Sequence, residues 1–163
     1  MKNLYFFMLV ALMFVACQPK TKLVDLATSK SEVNSLMEKY ITAWKAKDVN
    51  TLSSLLTEDG LFCGTDPTEL WNKKMIKDGW TQAFSDATVN YSYSVEKREI
   101  RITADGNSAI VMEHATMKAI SPKISCRIVS HLVKAGEGWN FDFISWNLIP
   151  KNEDIAKLNK ALE

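Results

Sequence analysis

The chain has 163 residues, 47% of them hydrophobic and 24% charged, which is ordinary globular composition and the length of one domain with a tail. Its formal net charge of +1 lacks the basic excess that nucleic-acid binding needs, so no nucleic-acid partner is expected. Five Trp, four Tyr and seven Phe are generous for one small domain, and some of these rings are expected to line a cavity.

Lys2 is followed by an apolar run from Leu4 to Ala16. A short positive start and an apolar stretch of this size are the grammar of a signal peptide, and the run is too short to span a bilayer, which takes about 20 residues. It ends at Phe14-Val15-Ala16-Cys17, which resembles the bacterial lipobox, with Phe14 where Leu is usual. The resemblance implies cleavage before Cys17 and acylation of that cysteine; the other reading is an ordinary signal peptide that leaves a free thiol. Residues 1–16 are thus expected to be a signal peptide and 17–30 a polar tether containing Pro19. Removing residues 1–16 takes away Lys2 and no acid, leaving 19 basic and 19 acidic side chains. A lipid anchor at Cys17 would hold the domain to a membrane of the bacterial cell envelope, facing the periplasm or the exterior.

Val33, Leu36, Met37, Tyr40, Ile41 and Trp44 recur at helical spacing and predict a helix over 31–47, capped by Ser29 or Ser31. Asp48 to Leu56 reads as a second short helix with Asp48 as its cap. Glu58-Asp59-Gly60 is expected to turn, Leu61–Cys63 to form a short strand, and Gly64-Thr65-Asp66-Pro67 to loop. Thr68 or Asn72 then caps a helix reaching Phe84, with Trp71, Met75, Ile76, Trp80 and Phe84 as its stripe. The pattern changes to period two: strands are predicted over 89–103, 108–119, 124–134 and 139–149, with a hairpin at Ala104-Asp105-Gly106-Asn107. Residues 151–163 read as a terminal helix with Asn152 as its cap. Helices first and an antiparallel meander after them argue an α+β fold.

This order resembles the cone-shaped SnoaL-like fold, also called nuclear-transport-factor-2-like. The likeness is carried by Trp44 with Asp48-Val49-Asn50-Thr51-Leu52, by Phe62-Cys63-Gly64-Thr65-Asp66-Pro67, Glu69 and Trp71, by Gly138-Trp139, and by Phe143-Ile144-Ser145-Trp146. It covers residues 31–150 and looks like the subgroup with a Gly-Thr-Asp-Pro loop. The resemblance implies N-terminal helices packed on a curved antiparallel sheet of four main strands, a pocket between them, and a homodimer through the sheet. Members include isomerases, cyclases, dehydratases and hydrolases, and others that only bind, so the site must decide the function.

Strict alternation puts Ser125, Arg127, Val129 and His131 on one face of their strand. Arg127 and His131 would lie about 13 Å apart, able to bind an anion and move a proton if that face is concave, or to be a solvated surface pair if it is not. Met112, His114 and Thr116 share a face, with Glu113 opposite; His114 reads more readily as a satisfied histidine than as a catalyst. The 139–149 strand is apolar on both faces, with Asp142 on the side of Trp146. An acid among rings has a raised pKa and can serve as a general base, or can be a structural partner of Arg127 or His131. Asp66 shapes a turn, and the resemblance places its loop near the pocket mouth. Tyr40, Trp44, Trp71, Trp80 and Trp146 are candidate pocket walls as well as core. No metal-ligand spacing, P-loop, GxGxxG or GxSxG pattern occurs, so no metal and no cofactor are expected. Cys63 and Cys126 read equally as a disulfide or as two small buried side chains.

Three functions follow as expectations. The first is a membrane-anchored domain with a pocket for a small molecule. The second is an acid–base enzyme in the same pocket, with Asp142 or His131 as base and Tyr40 or Asp66 positioning the substrate. The third is an interaction or dimerisation module of the envelope.

Overall fold

In the computed structural model residues 25–136 and 138–163 are described; the expected signal peptide, Cys17 and residues 17–24 of the tether lie outside them. The first helix, α1, runs Leu26–Ala46 and begins earlier than Ser31. The reason is Asp25, whose carboxylate accepts the N–H groups of Ala27 at 3.0 Å and Thr28 at 3.1 Å and so satisfies donors that a helix start leaves free. Residues 26–30, expected as tether, are therefore helical. The helix ends at Lys47, which takes a left-handed conformation at φ 56°. Asp48 then caps α2 (Val49–Ser54), accepting the Thr51 N–H at 3.0 Å.

Strand β1 spans Leu56–Cys63. The expected turn at Glu58-Asp59-Gly60 is instead an irregularity within it, because β1 advances five positions, from Leu56 to Leu61, while its partner advances two, from Phe141 to Phe143. A short strand that the sequence did not predict, β2 (Leu70–Asn72), pairs antiparallel with β1. Trp71 therefore belongs to β2 and not to the helix that follows. That helix, α3 (Lys73–Phe84), is capped by Asn72, which accepts the Met75 N–H at 3.0 Å. It buries Ile76 and Trp80 and leaves Met75 exposed.

Strands β3 (Tyr93–Ile102), β4 (Ser108–Met117), β5 (Ser121–Ala135) and β6 (Gly138–Leu148) form the expected antiparallel meander. Gly106, at φ 70°, makes the predicted hairpin turn between β3 and β4. The sheet has six strands in the order β2-β1-β6-β5-β4-β3. It is mixed, because β1 lies parallel to β6. The chain closes with a 3₁₀ turn at Asn152–Asp154 and the helix α4 (Ile155–Ala161); neither has a side-chain cap, so Asn152 does not play that part.

The helices cover one face of the sheet. Val33, Met37, Tyr40 and Trp44 of α1 pack with Val111 and Ala115 of β4, Ile128 and Leu132 of β5, and Ile144 and Trp146 of β6. The apolar reading of both faces of β6 has a specific cause. Leu132 of β5 pairs with Phe141 and its neighbour His131 pairs with Phe143, so Asp142 is an extra residue. This bulge reverses the alternation. Trp139 and Phe141 before it and Ile144 and Trp146 after it all point to the same inner face, and all four are buried. Asp142 and Phe143 face outward, and Asp142 is not on the side of Trp146. Replacing Ile144 by Ala should lower stability by about 2–5 kcal/mol, read from urea unfolding, while Phe143→Ala should cost far less. Equal losses would mean that the bulge is misplaced.

Candidate functional site

At the end of α1 the inner face opens to an aromatic cavity of about 210 Å³. Trp44 from α1, Phe62 from β1, Trp71 from β2, Trp80 from α3, Tyr91 and Trp146 from β6 line it, with Glu69 at its edge. Four of the predicted wall residues, Trp44, Trp71, Trp80 and Trp146, thus come together. Trp44 is the hub: its ring centroid lies 5.0 Å from Trp80 and 4.9 Å from Trp146. Phe62 joins the cluster at 5.2 Å from Trp146 and 5.8 Å from Trp71. Such spacings suit tilted and edge-on rings, which attract beyond their burial alone. The backbone of α3 comes very close to Trp71, since a Cβ on Gly79 would stand 2.6 Å from that ring.

Behind the indoles lies a buried polar cluster. Tyr40, Tyr93, Glu113 and Ser130 reach the interior from α1, β3, β4 and β5. The Glu113 Oε1 accepts from Arg98 Nε at 2.6 Å, and Arg98 Nη1 also donates to Asn34 Oδ1 and Glu38 Oε1 of α1, each at 2.6 Å. Several polar atoms here have no hydrogen-bond partner among the described residues: the Tyr40 and Tyr93 hydroxyls, Glu113 Oε2, Ser130 Oγ, and the indole nitrogens of Trp44 and Trp146. Burial pushes the Glu113 carboxyl up, against the pull of Arg98. Burial also raises the Tyr40 and Tyr93 hydroxyls far above the ordinary tyrosine range; the Trp44 indole beside Tyr40 opposes this, and the Glu113 charge adds to both. Tyr40 is therefore a neutral phenol, buried beside Trp44 and outside the cavity lining. Glu113 was missed in the sequence because attention went to the His114 face of β4. The available signal was an acid in phase with Ala109, Val111, Ala115 and Met117, the inner alternation of that strand.

The remaining predicted residues lie elsewhere. Arg127, His131, His114 and Asp142 occupy the outer face of the sheet, opposite the helices and away from the cavity, so the face of Arg127 and His131 is not the concave one. His131 and Asp142 do meet: His131 Nδ1 is 2.9 Å from Asp142 Oδ2, and Nε2 is 2.7 Å from Ser108 Oγ. A hydroxyl, an imidazole and a carboxylate in line can pass a proton. Nucleophilic catalysis also requires donors for an oxyanion, and the Ser108 N–H is already given to Thr103 Oγ1. Arg127 donates to His114 Nε2 at a long 3.4 Å. Asp66 stands outside the aromatic cavity on an exposed loop, where its carboxylate accepts the Thr68 hydroxyl and N–H at 2.6 and 2.8 Å. These bonds hold it below the usual carboxylate range. Cys63 and Cys126 are both free thiols.

The SnoaL-like domain family matches residues 33–144. Among solved structures the chain is similar to a domain of unknown function with a cystatin-like fold from Nostoc punctiforme, with a TM-score of 0.66 and 17% identity over 82% of this chain and 85% of that one. It is similar to an NTF2-like protein of unknown function from Pseudomonas putida, with a TM-score of 0.65 and 13% identity over 78% and 91%. An NTF2-like protein from Cytophaga hutchinsonii aligns with a TM-score of 0.62 and 18% identity over 74% and 98%. No curated protein matches the chain. Identities this low speak for the fold alone.

The raised Glu113 carboxyl has a consequence for stability. The folded chain holds that proton more tightly than the unfolded chain does. The group's contribution to stability is therefore full below the ordinary glutamate range, about 4.3, and falls as pH rises from there through the folded value. Glu113→Gln keeps an acceptor for Arg98 and removes the titration. The stability of the variant minus that of the parent, from urea midpoints at about pH 4.5, 6 and 8, should grow with pH; a constant difference would contradict a raised Glu113.

Proposed function

The chain belongs to the SnoaL-like domain family, and from that premise we propose that it is a membrane-anchored domain that binds a small, largely apolar molecule bearing a hydrogen-bonding group. The observation that carries this reading is the union of an aromatic cavity with unpartnered polar atoms. Buried polar atoms without partners cost about 1–3 kcal/mol each, so natural interiors keep few of them. Trp44 and Trp146 present their rings to the cavity, while their indole nitrogens are buried, that of Trp146 without a partner and that of Trp44 beside the Tyr40 hydroxyl. A ligand of one or two rings would pack against the indoles, with Glu69 at the cavity edge as a polar partner. The anchor is Cys17, acylated after removal of residues 1–16, which places the domain at the cell envelope. The Gly-Thr-Asp-Pro loop at 64–67 then frames the mouth as in the subgroup it resembles.

A second reading, acid–base catalysis, is favoured by Glu113 and not by the outer pair. A buried carboxyl whose proton affinity is raised, beside two neutral phenols, is the kind of environment that prepares a general acid or base. It would act on a ligand reaching past the indoles.

The outer sheet face supports pairing of two copies. Leu61 of β1, Leu70 of β2 and Ile110 of β4 are 42%, 61% and 52% exposed, and Phe143, Val129 and Met112 lie on the same side. Exposed apolar area of this kind marks association surfaces.

Native mass spectrometry of the purified protein should show a co-purifying mass below that of a lipid. Gly79→Ala, which forces Trp71 to move, should release it. The mature N-terminus should carry acyl mass on Cys17. A protein free of bound mass that quenches with no small aromatic ligand would end the binding reading. Separately, Ile110→Glu should convert a dimer to a monomer in sedimentation velocity without loss of helix signal.

A further inference from the structure

A second cavity, of about 510 Å³, lies between the start of β5, the end of β6 and α4. Ile124, Ile149, Pro150 and Leu158 form its apolar walls, and Lys123, Lys151 and Lys157 stand around them. The helix beside it is unusual. Helix α4 has seven residues and buries none of them, and a helix this short does not hold itself in water. Its Leu158 is half-buried at the cavity, while Ile155 and Leu162, on the same side, are 41% and 86% exposed. The helix therefore rests on a surface that the chain itself only partly supplies.

We propose that this cavity binds an anionic amphiphile, an alkyl chain ending in a carboxylate, with α4 as its cover. The volume falls in the range of small-molecule sites. The charge is complementary: three lysines face one acid, Asp154, which Lys157 meets at 3.3 Å. Lys151 has only a long 3.6 Å contact with the exposed Glu153. Lys123 makes no ion pair among the described residues. An acyl chain lies along Ile124, Ile149 and Leu158, and the carboxylate meets Lys123 and Lys151 at the rim. A bilayer surface is the poorer occupant. Glu32, in the second turn of α1, contacts Lys134 and Trp139 at 3.2 and 3.0 Å. The N-terminal segment therefore joins the domain at the far end of β5, about 36 Å along the strand from Lys123.

The test is calorimetric titration of the chain carrying Cys17→Ser, so that no acyl group of its own competes, in buffer free of detergent. The probes are dodecanoate and dodecyltrimethylammonium, which share a tail and differ in the sign of the head. Dodecanoate should bind one to one, and the cation at least about tenfold more weakly, a difference of about 1.4 kcal/mol. Lys123→Glu and Leu158→Asp should each weaken dodecanoate about tenfold with an unchanged circular-dichroism spectrum. Equal binding of both probes, no saturable heat with dodecanoate, or full binding by Leu158→Asp would overturn the proposal. So would self-association of the unliganded chain that Leu158→Asp abolishes, since the surface would then belong to a second copy. No residue lines both this cavity and the aromatic one, so failure here leaves the reading of that cavity untouched.

Discussion

The arrangement depends on one buried contact between helix and sheet. Arg98 stands on the inner face of β3 with its side chain 12% exposed, reaching Glu113 on β4 and both Asn34 and Glu38 on α1. Burying a charge is costly unless it is paired and hydrogen-bonded. Here the guanidinium of β3 is surrounded by three acceptors from two other elements, α1 and β4, and only their joint position satisfies it. That fixes how α1 lies across the sheet. With α1 fixed, Tyr40 packs against Phe141 at 4.8 Å, and Trp44 arrives where Trp80 and Trp146 meet it. The cavity is a result of that placement.

Much of this was legible in the sequence. The period of Val33, Met37, Tyr40 and Trp44 located α1, Asp48 and Asn72 acted as caps, and period two located the meander. Family resemblance carried what periodicity cannot, the covering of one sheet face by the helices. The failures have physical causes. Asp25 was passed over as a cap because the residues after it carry a weak apolar stripe. Strand β2 has three residues, too few for any period to show. The bulge at Asp142 adds one residue, and a shift of one exchanges inner for outer positions along a strand. That single insertion placed Asp142 among the rings on paper and on the outer face in fact. It also made β6 look apolar on both sides.

The candidate site was half legible. The indoles were named because large rings in excess must go somewhere, and four of them meet. The buried ionisable group lies on the opposite side of the sheet from His114, Arg127 and His131, which stand out in the sequence because histidine and arginine are chemically versatile. Glu113 sits in a run of small apolar residues and reads as an interruption. An acid in phase with a buried alternation is a stronger signal than a histidine out of phase with it, because only the first must lose its water.

Most of the aromatic cavity's lining comes from one continuous stretch of chain. Thr65, Glu69, Trp71, Gly79, Trp80 and Tyr91 all lie between β1 and β3, outside the meander. Gly64 is pressed so closely against Glu69 that a side chain there would overlap it. Exchanges at the lining positions within residues 64–91 would thus reshape the cavity without disturbing the Arg98 contact, whereas Leu70 in the same stretch belongs to the outer face of the sheet. The shape of the cavity can drift in one exchangeable cassette while the scaffold of α1 and the meander stays as it is.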